Sequence, residues 1–166
     1  MGIEAVRLPN GDDVELEIIR HPGAAAVVPI HENGDITLIH QYRHAAGGKI
    51  YEIPAGLWEE GETLKSCASR ELAEEAGLSA RQFIQVGQIH TTPGFTDERI
   101  TLFIGIDAYP VPSTGPEYGE CIEQLRLPLK EALLWVQTGK ITDAKTIVGL
   151  HLAATHTGLF NLNQVT

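Results

Sequence analysis

Three glutamates, Glu71, Glu74 and Glu75, stand three and four residues apart in one stretch of the chain. On a helix that spacing gathers their carboxylates on one patch. Like charges so placed destabilise an isolated helix, so something must compensate. The neighbouring Arg70 can neutralise one carboxylate, and a patch this dense can also hold divalent cations. Ligands that are all oxygen suit magnesium or manganese rather than zinc. Magnesium usually shares its sphere among a few carboxylates, water and a substrate phosphate. The chemistry that follows is attack by an activated water on phosphorus, whose shielding oxygens the metal neutralises. A solvated acidic helix face is the commoner reading of any bare E-x-x-E-E. The surroundings decide against it: Gly56, Glu62, Arg70, Glu71, Leu72, Glu74, Glu75, Gly77 and Leu78 make the pattern G-x5-E-x7-R-E-aliphatic-x-E-E-x-G-aliphatic. At average composition one window matches it with a probability below roughly 10⁻⁸.

The elements that must position these residues are legible in outline. Leu64, Cys67, Ala68, Leu72 and Ala76 recur at helical spacing. Thr63 is the candidate N-cap and Gly77 the left-handed residue that closes the helix, which predicts residues 64–76. Strands are expected at 24–30 and 36–42, joined by a turn through Glu32-Asn33-Gly34, and at 49–53, stopped by Pro54. Strands at 83–90 and 100–108 flank the loop 91–99, and 122–127 is a last strand. Residues 109–120, rich in proline and glycine, read as an exposed loop. Residues 129–138 form a helix ended by Gly139, and Thr142 or Asp143 caps a final helix running to about Thr157. Residues 3–8 and 13–20 form a hairpin around Asn10-Gly11. Strands lie before and around the helices, so the expected class is α+β with a mixed sheet between helices.

The 166 residues fit one domain, 1–166. Apolar residues are 43% and charged residues 20%, an ordinary soluble balance, and no apolar run approaches a membrane span. The first residues lack the pattern of a signal peptide. Cys67 and Cys121 make neither a metal motif nor a disulfide framework, which suits a reducing cytoplasm. A net charge of −10 argues against nonspecific nucleic-acid or anionic-membrane binding. A phosphate ligand remains compatible if cations bridge the like charges.

The spaced pattern resembles the Nudix box, and the chain looks like a Nudix hydrolase. That resemblance implies an α/β/α sandwich and assigns roles residue by residue. Glu71, Glu74 and Glu75 match the metal-binding glutamates, Arg70 the arginine that orients them, and Glu62 the acid that holds the arginine. Gly56 matches the glycine whose loop enters the metal site, and the preceding carbonyl, on Ala55, is a further metal ligand in similar enzymes. The implied cofactor is Mg²⁺, with Mn²⁺ as an alternative.

Outside the box, Gln41-Tyr42-Arg43, Tyr51-Glu52-Ile53-Pro54-Ala55-Gly56, Pro93 sixteen residues after Gly77, and the tail 139–146 resemble the branch that hydrolyses ADP-ribose and other nucleoside diphosphate sugars. The resemblance implies cleavage of ADP-ribose to AMP and ribose 5-phosphate, with GDP-mannose or another nucleotide sugar as the alternative substrate. A non-catalytic nucleotide-sensing module is the alternative of another class; such modules often lose box carboxylates, and here all are present. Arg43, Glu52, Gly56, Pro93 and Phe95 are candidate substrate contacts. A glutamate in the loop before the last strand is the catalytic base in similar enzymes. Position favours Glu120, with Glu117 second and Glu123 third. The chain departs from the branch in that loop and in its short N-terminal segment, where many relatives build a swapped dimer. The resemblance still implies a homodimer, with the hairpin of residues 1–20 as the dimerisation element.

Overall fold

The computed structural model of the chain describes residues 1–112, 115 and 121–160. Glu117 and Glu120 therefore lie outside the described residues. The elements run β1 (Gly2–Arg7), β2 (Asp13–Ile18), β3 (Ala24–Ile30), β4 (Asp35–Arg43), β5 (Gly48–Glu52), β6 (Ala55–Leu57), α1 (Leu64–Ala76), β7 (Leu78–His90), β8 (Arg99–Pro110), β9 (Ile122–Pro128), α2 (Leu129–Gln137) and α3 (Ala144–His156).

The central strand is β3, whose seven residues AAAVVPI are all buried. A strand covered on both faces has no reason to alternate, and this one does not. Its even residues, Ala24, Ala26, Val28 and Ile30, pack with Leu102, Ile104, Leu133, Leu150 and Ala153 beneath α2 and α3. Its odd residues, Ala25 and Val27, pack with Cys67, Ala68, Leu72 and Phe103 beneath α1. The period of two thus splits one strand between two cores, and an α/β/α sandwich results. The sheet is mixed. β3 runs parallel to β8 from Ala24↔Ile100 to Ile30↔Ile106, while the other pairings are antiparallel. β4 pairs with both β5 and β9. No helix among the described residues is long and apolar enough to cross a membrane.

Several boundaries differ from the sequence reading for local reasons. β7 begins at Leu78, five residues earlier than expected. Gly77, at φ +58°, closes α1 and turns the chain straight into the sheet, where Leu78 meets Pro110. That pairing extends β8 to Pro110, two residues into the expected loop. The segment after Pro54 is a short strand, β6, that pairs Ala55 and Gly56 with Ala26 and Ala25. Pro54 could not signal this, because proline ends one pairing without forbidding the next.

Helix α1 begins with a reciprocal capping box. Thr63 Oγ1 accepts from the Ser66 amide at 3.1 Å, and Ser66 Oγ accepts from the Thr63 amide at 2.8 Å. The cap on α3 is Asp143, whose carboxylate accepts from the Thr146 amide at 3.0 Å. The hairpin β1–β2 keeps the expected register around its turn, Gly2↔Ile18 to Arg7↔Asp13. It buries little, and Ile3 is 68% exposed.

Candidate active site

One face of α1 is buried against the sheet, and two of the three glutamates lie on it: Glu75 is 3% exposed and Glu71 9%. Burial of carboxylates demands partners. Glu75 Oε2 accepts the Ala55 amide at 2.9 Å, which fastens β6 across the helix. A Cβ on Gly56 would fall 1.9 Å from Glu71 Oε1. Only glycine lets the backbone come so near the carboxylate where it stands, and any side chain would displace either the Glu71 carboxylate or the loop.

Arg70 joins the rest. Its Nη1 donates to Glu71 Oε1 at 2.7 Å and to Glu74 Oε2 at 3.1 Å. Its Nη2 donates to Glu62 Oε1 and to the Leu57 carbonyl, each at 3.0 Å. The guanidinium beside Glu62 holds that carboxyl below its usual range, and Glu62 in turn raises Arg70 further above its own. The Cys67 thiol, under this network, is pushed up to about 12 by burial and then by Glu62. It donates to the Leu57 carbonyl at 3.2 Å, and at that pKa it is a packing group rather than a nucleophile. Trp58 donates its ring N–H to the Glu62 carbonyl at 2.7 Å and is half-buried, which braces the glycine loop.

These residues form one wall of a cleft of about 700 Å³. A second charged group lines the same cleft. Glu52 is 1% exposed. Arg43 grips it through Nε to Oε1 at 2.7 Å and Nη2 to Oε2 at 3.1 Å, and Lys145 Nζ shares Oε2. Burial pushes the Glu52 carboxyl up, but the Arg43 hydrogen bond and Lys145 outweigh it and hold the carboxyl below the ordinary value. Lys145 also reaches Asp143 at 3.1 Å. Asp143 takes the Thr146 hydroxyl at 2.6 Å, and that hydroxyl oxygen accepts the Ile53 amide at 2.8 Å. The cap of α3 is thereby tied to the strand end that leads into Ala55 and Gly56. Lys145, Asp143 and Thr146 stand in the sequence stretch 139–146, yet none is an evident site residue from spacing alone.

The third side is contributed by the loop after β7. Thr91, Thr92 and Glu98 line the cleft. Pro93 is exposed and Phe95 is 52% exposed, and neither lines the cleft. Arg43, Glu52, Ala55, Gly56, Arg70, Glu71, Glu74 and Glu75 all do, whereas Glu62 acts on it through Arg70. Glu123 lies on β9, paired with Lys49 and 3.6 Å from His40 Nδ1, and does not line it. Lys49 holds the Glu123 carboxyl below its usual value.

Among the described residues no three acidic, histidine or cysteine side chains stand as a preformed cation cage. Arg70 draws Glu71 and Glu74 to itself instead. The available donors are still all oxygen, three carboxylates and the Ala55 carbonyl, in a part of the cleft where glutamates outnumber cations. That set fits a hard divalent ion. Fold and donor set together define a class: hydrolases in which a divalent cation lets carboxylates and phosphate meet.

The comparisons with known proteins agree. The NUDIX domain matches residues 20–147. The chain is 37% identical over 149 residues to a methanol dehydrogenase activator of Bacillus methanolicus, covering 89% of this chain and 80% of that protein. It is 36% identical over 145 residues to an ADP-ribose pyrophosphatase of Bacillus subtilis (strain 168), covering 87% and 78%. The crystal structure of an ADP compounds hydrolase superposes with a TM-score of 0.81 at 22% identity, covering 96% of this chain and 95% of that one. The chain belongs to the Nudix family of hydrolases. Members of that family generally need a divalent metal.

Proposed function

We propose that the protein hydrolyses the pyrophosphate bond of a nucleoside diphosphate sugar, with ADP-ribose, cut to AMP and ribose 5-phosphate, as its preferred substrate. The observation that carries this reading is the cleft itself. It brings Glu71, Glu74 and Glu75 and the Arg43–Glu52–Lys145 group to one space, in a volume suited to a dinucleotide-sized ligand. The relatives named ADP-ribose pyrophosphatase support the choice of substrate.

In this reading Glu71, Glu74, Glu75 and the Ala55 carbonyl hold Mg²⁺, and Mn²⁺ serves in its place. Bound there, the ion supplies neutralisation of phosphate charge and a water of lowered pKa. Arg70 and Glu62 keep the carboxylates oriented. Glu75 and Gly56 keep the β6 loop against them. Arg43, at the end of β4, meets a diphosphate oxygen while Glu52 fixes its plane. Glu120 takes the proton of the attacking water. The protein works as a homodimer in the cytoplasm: a two-stranded hairpin that leaves Ile3 and Leu16 exposed is marginal until something packs on it.

A panel of nucleoside diphosphate compounds, assayed with magnesium, tests the reading. ADP-ribose should give the highest kcat/KM, EDTA should abolish turnover, and added magnesium or manganese should restore it. Undiminished turnover in excess EDTA would sink the metal assignment. Equal or better turnover of GDP-mannose would move the substrate.

A further inference from the structure

The charged group around Glu52 holds two cations and two carboxylates, but its members are not equally exposed. The side chain of Glu52 is 1% exposed, Lys145 11% and Asp143 17%, whereas Arg43 is 41% exposed. All four line the cleft. The carboxylates therefore lie deep, and the charge that reaches the open space is the Arg43 guanidinium. A group that is neutral as a whole thus shows a positive end to a ligand.

Lys145 decides that balance. Its Nζ lies on Glu52 Oε2 and 3.1 Å from Asp143 Oδ2, so one ammonium faces both carboxylates. Without it, two carboxylates would stand against one guanidinium, and this part of the cleft would turn negative. The α1 glutamates line the same space, so a diphosphate would meet an excess of like charge from both groups. The place of Lys145 does not depend on its ion pairs. It sits in the first turn of α3, beside the fully buried Thr146, whose amide donates to the Asp143 cap at 3.0 Å and whose hydroxyl oxygen accepts the Ile53 amide at 2.8 Å. The backbone is anchored by these neighbours, and the ammonium is left to the charge balance. We propose that Lys145 sets the charge that the cleft presents to the diphosphate of the substrate: by sharing the Glu52 and Asp143 carboxylates with Arg43, it keeps the exposed guanidinium end positive. Lys145 is a positioning residue, acting through Glu52 and Arg43. The proposal rests on the nucleoside diphosphate sugar reading.

The test measures steady-state kinetics of wild type, K145M, D143N and the double variant K145M/D143N on ADP-ribose with magnesium. K145M should raise KM roughly 10-fold, the scale on which one charge acts from several ångströms away at a protein surface, with a smaller change in kcat. D143N removes a negative charge and keeps the helix cap, because asparagine caps as well as aspartate. Its KM should fall several-fold below wild type. The double variant returns the charge sum to zero, and its KM should come back to within about three-fold of wild type. A Lys145 that only packed would make both single variants worse and the double variant worst of all. D143N decides the matter if K145M melts well below wild type. A K145M KM within about two-fold of wild type, a D143N KM that does not fall, or a double variant no better than K145M would each overturn the proposal. A wild type that turns over no nucleotide sugar overturns the functional reading itself. An active wild type with indifferent K145M and D143N overturns the role of Lys145 alone.

Discussion

The two charged groups of the cleft are built on opposite plans. At α1, Glu62 just before the helix and Glu71 and Glu74 on it pair with a single guanidinium, Arg70, while Glu75 takes the Ala55 amide. Elsewhere in the cleft lining, Arg43 and Lys145 stand against Glu52 and Asp143, two cations and two carboxylates. The second group is neutral within itself, so it can be buried deeply, and Glu52 is 1% exposed. The first carries an excess of negative charge, which a folded chain retains at a cost unless a cation from solution offsets it. An unbalanced group is thus fitted to chemistry, and a balanced one to holding the geometry that chemistry needs.

The contrast breaks if substitutions in the two groups fail in the same way. The largest effect is expected at Glu75→Gln, with a fall in kcat of roughly 10³-fold, the scale on which removing a key electrostatic group acts. Its melting temperature should stay close to wild type, because a glutamine carbonyl can still accept the Ala55 amide. Normal kcat at saturating magnesium in a folded variant would refute the role.

Glu52→Gln should behave in the reverse order, with stability suffering first. Removing the shared carboxylate leaves Asp143 as the one carboxylate of this group beside its two cations. Breaking such a buried arrangement costs about 3–5 kcal/mol, and the lower end applies because Arg43 is partly in water. Chemical denaturation measures it, and a loss under 1 kcal/mol would show that the balanced group holds little together.

The smallest effect is on acid stability. Glu52 and Glu62 have folded-state pKa values below their ordinary 4.5. A depressed carboxylate contributes stability above its unfolded value and loses it as pH falls through the folded one. Melting temperature should therefore be insensitive to these groups near neutrality and decline below about pH 4.5. Glu52→Gln should flatten part of that decline. An unchanged profile between pH 6 and 3 in wild type would contradict the ion-pair account.

How much of this was legible in the chain depended on distance along it. Helix α1 was readable to the residue, because capping by Thr63, closure by Gly77 and the spacing of Leu64, Cys67, Ala68 and Leu72 are all local. The alignment of Glu71, Glu74 and Glu75 with Arg70 is local too, since one turn of helix joins them. Strand β6 was missed because its only cause is its partner, β3, some thirty residues earlier. The family resemblance singled out Pro93, with Phe95 beside it, and it is Thr91, Thr92 and Glu98 of the same segment that line the cleft. A loop's facing is set by what clamps it, here Ile19, Arg20 and His21.

The sequence by itself determined helix α1, its caps and the gathering of Glu71, Glu74 and Glu75 beside Arg70, which follow from backbone periodicity and side-chain chemistry within a few turns; that Glu62 holds the arginine came from the family resemblance. Only the tertiary structure decided that Lys145 meets Glu52, 93 residues away, and that His21 Nε2 comes within 3.3 Å of Glu98. Those meetings depend on the parallel pairing of β3 with β8 and on the docking of α3, where a Cβ on Gly149 would come within 3.0 Å of Ile53. A charge has no sequence signature for its distant partner. The partners are chosen when the sheet closes and sets beside each buried ion the groups that offset its lost water.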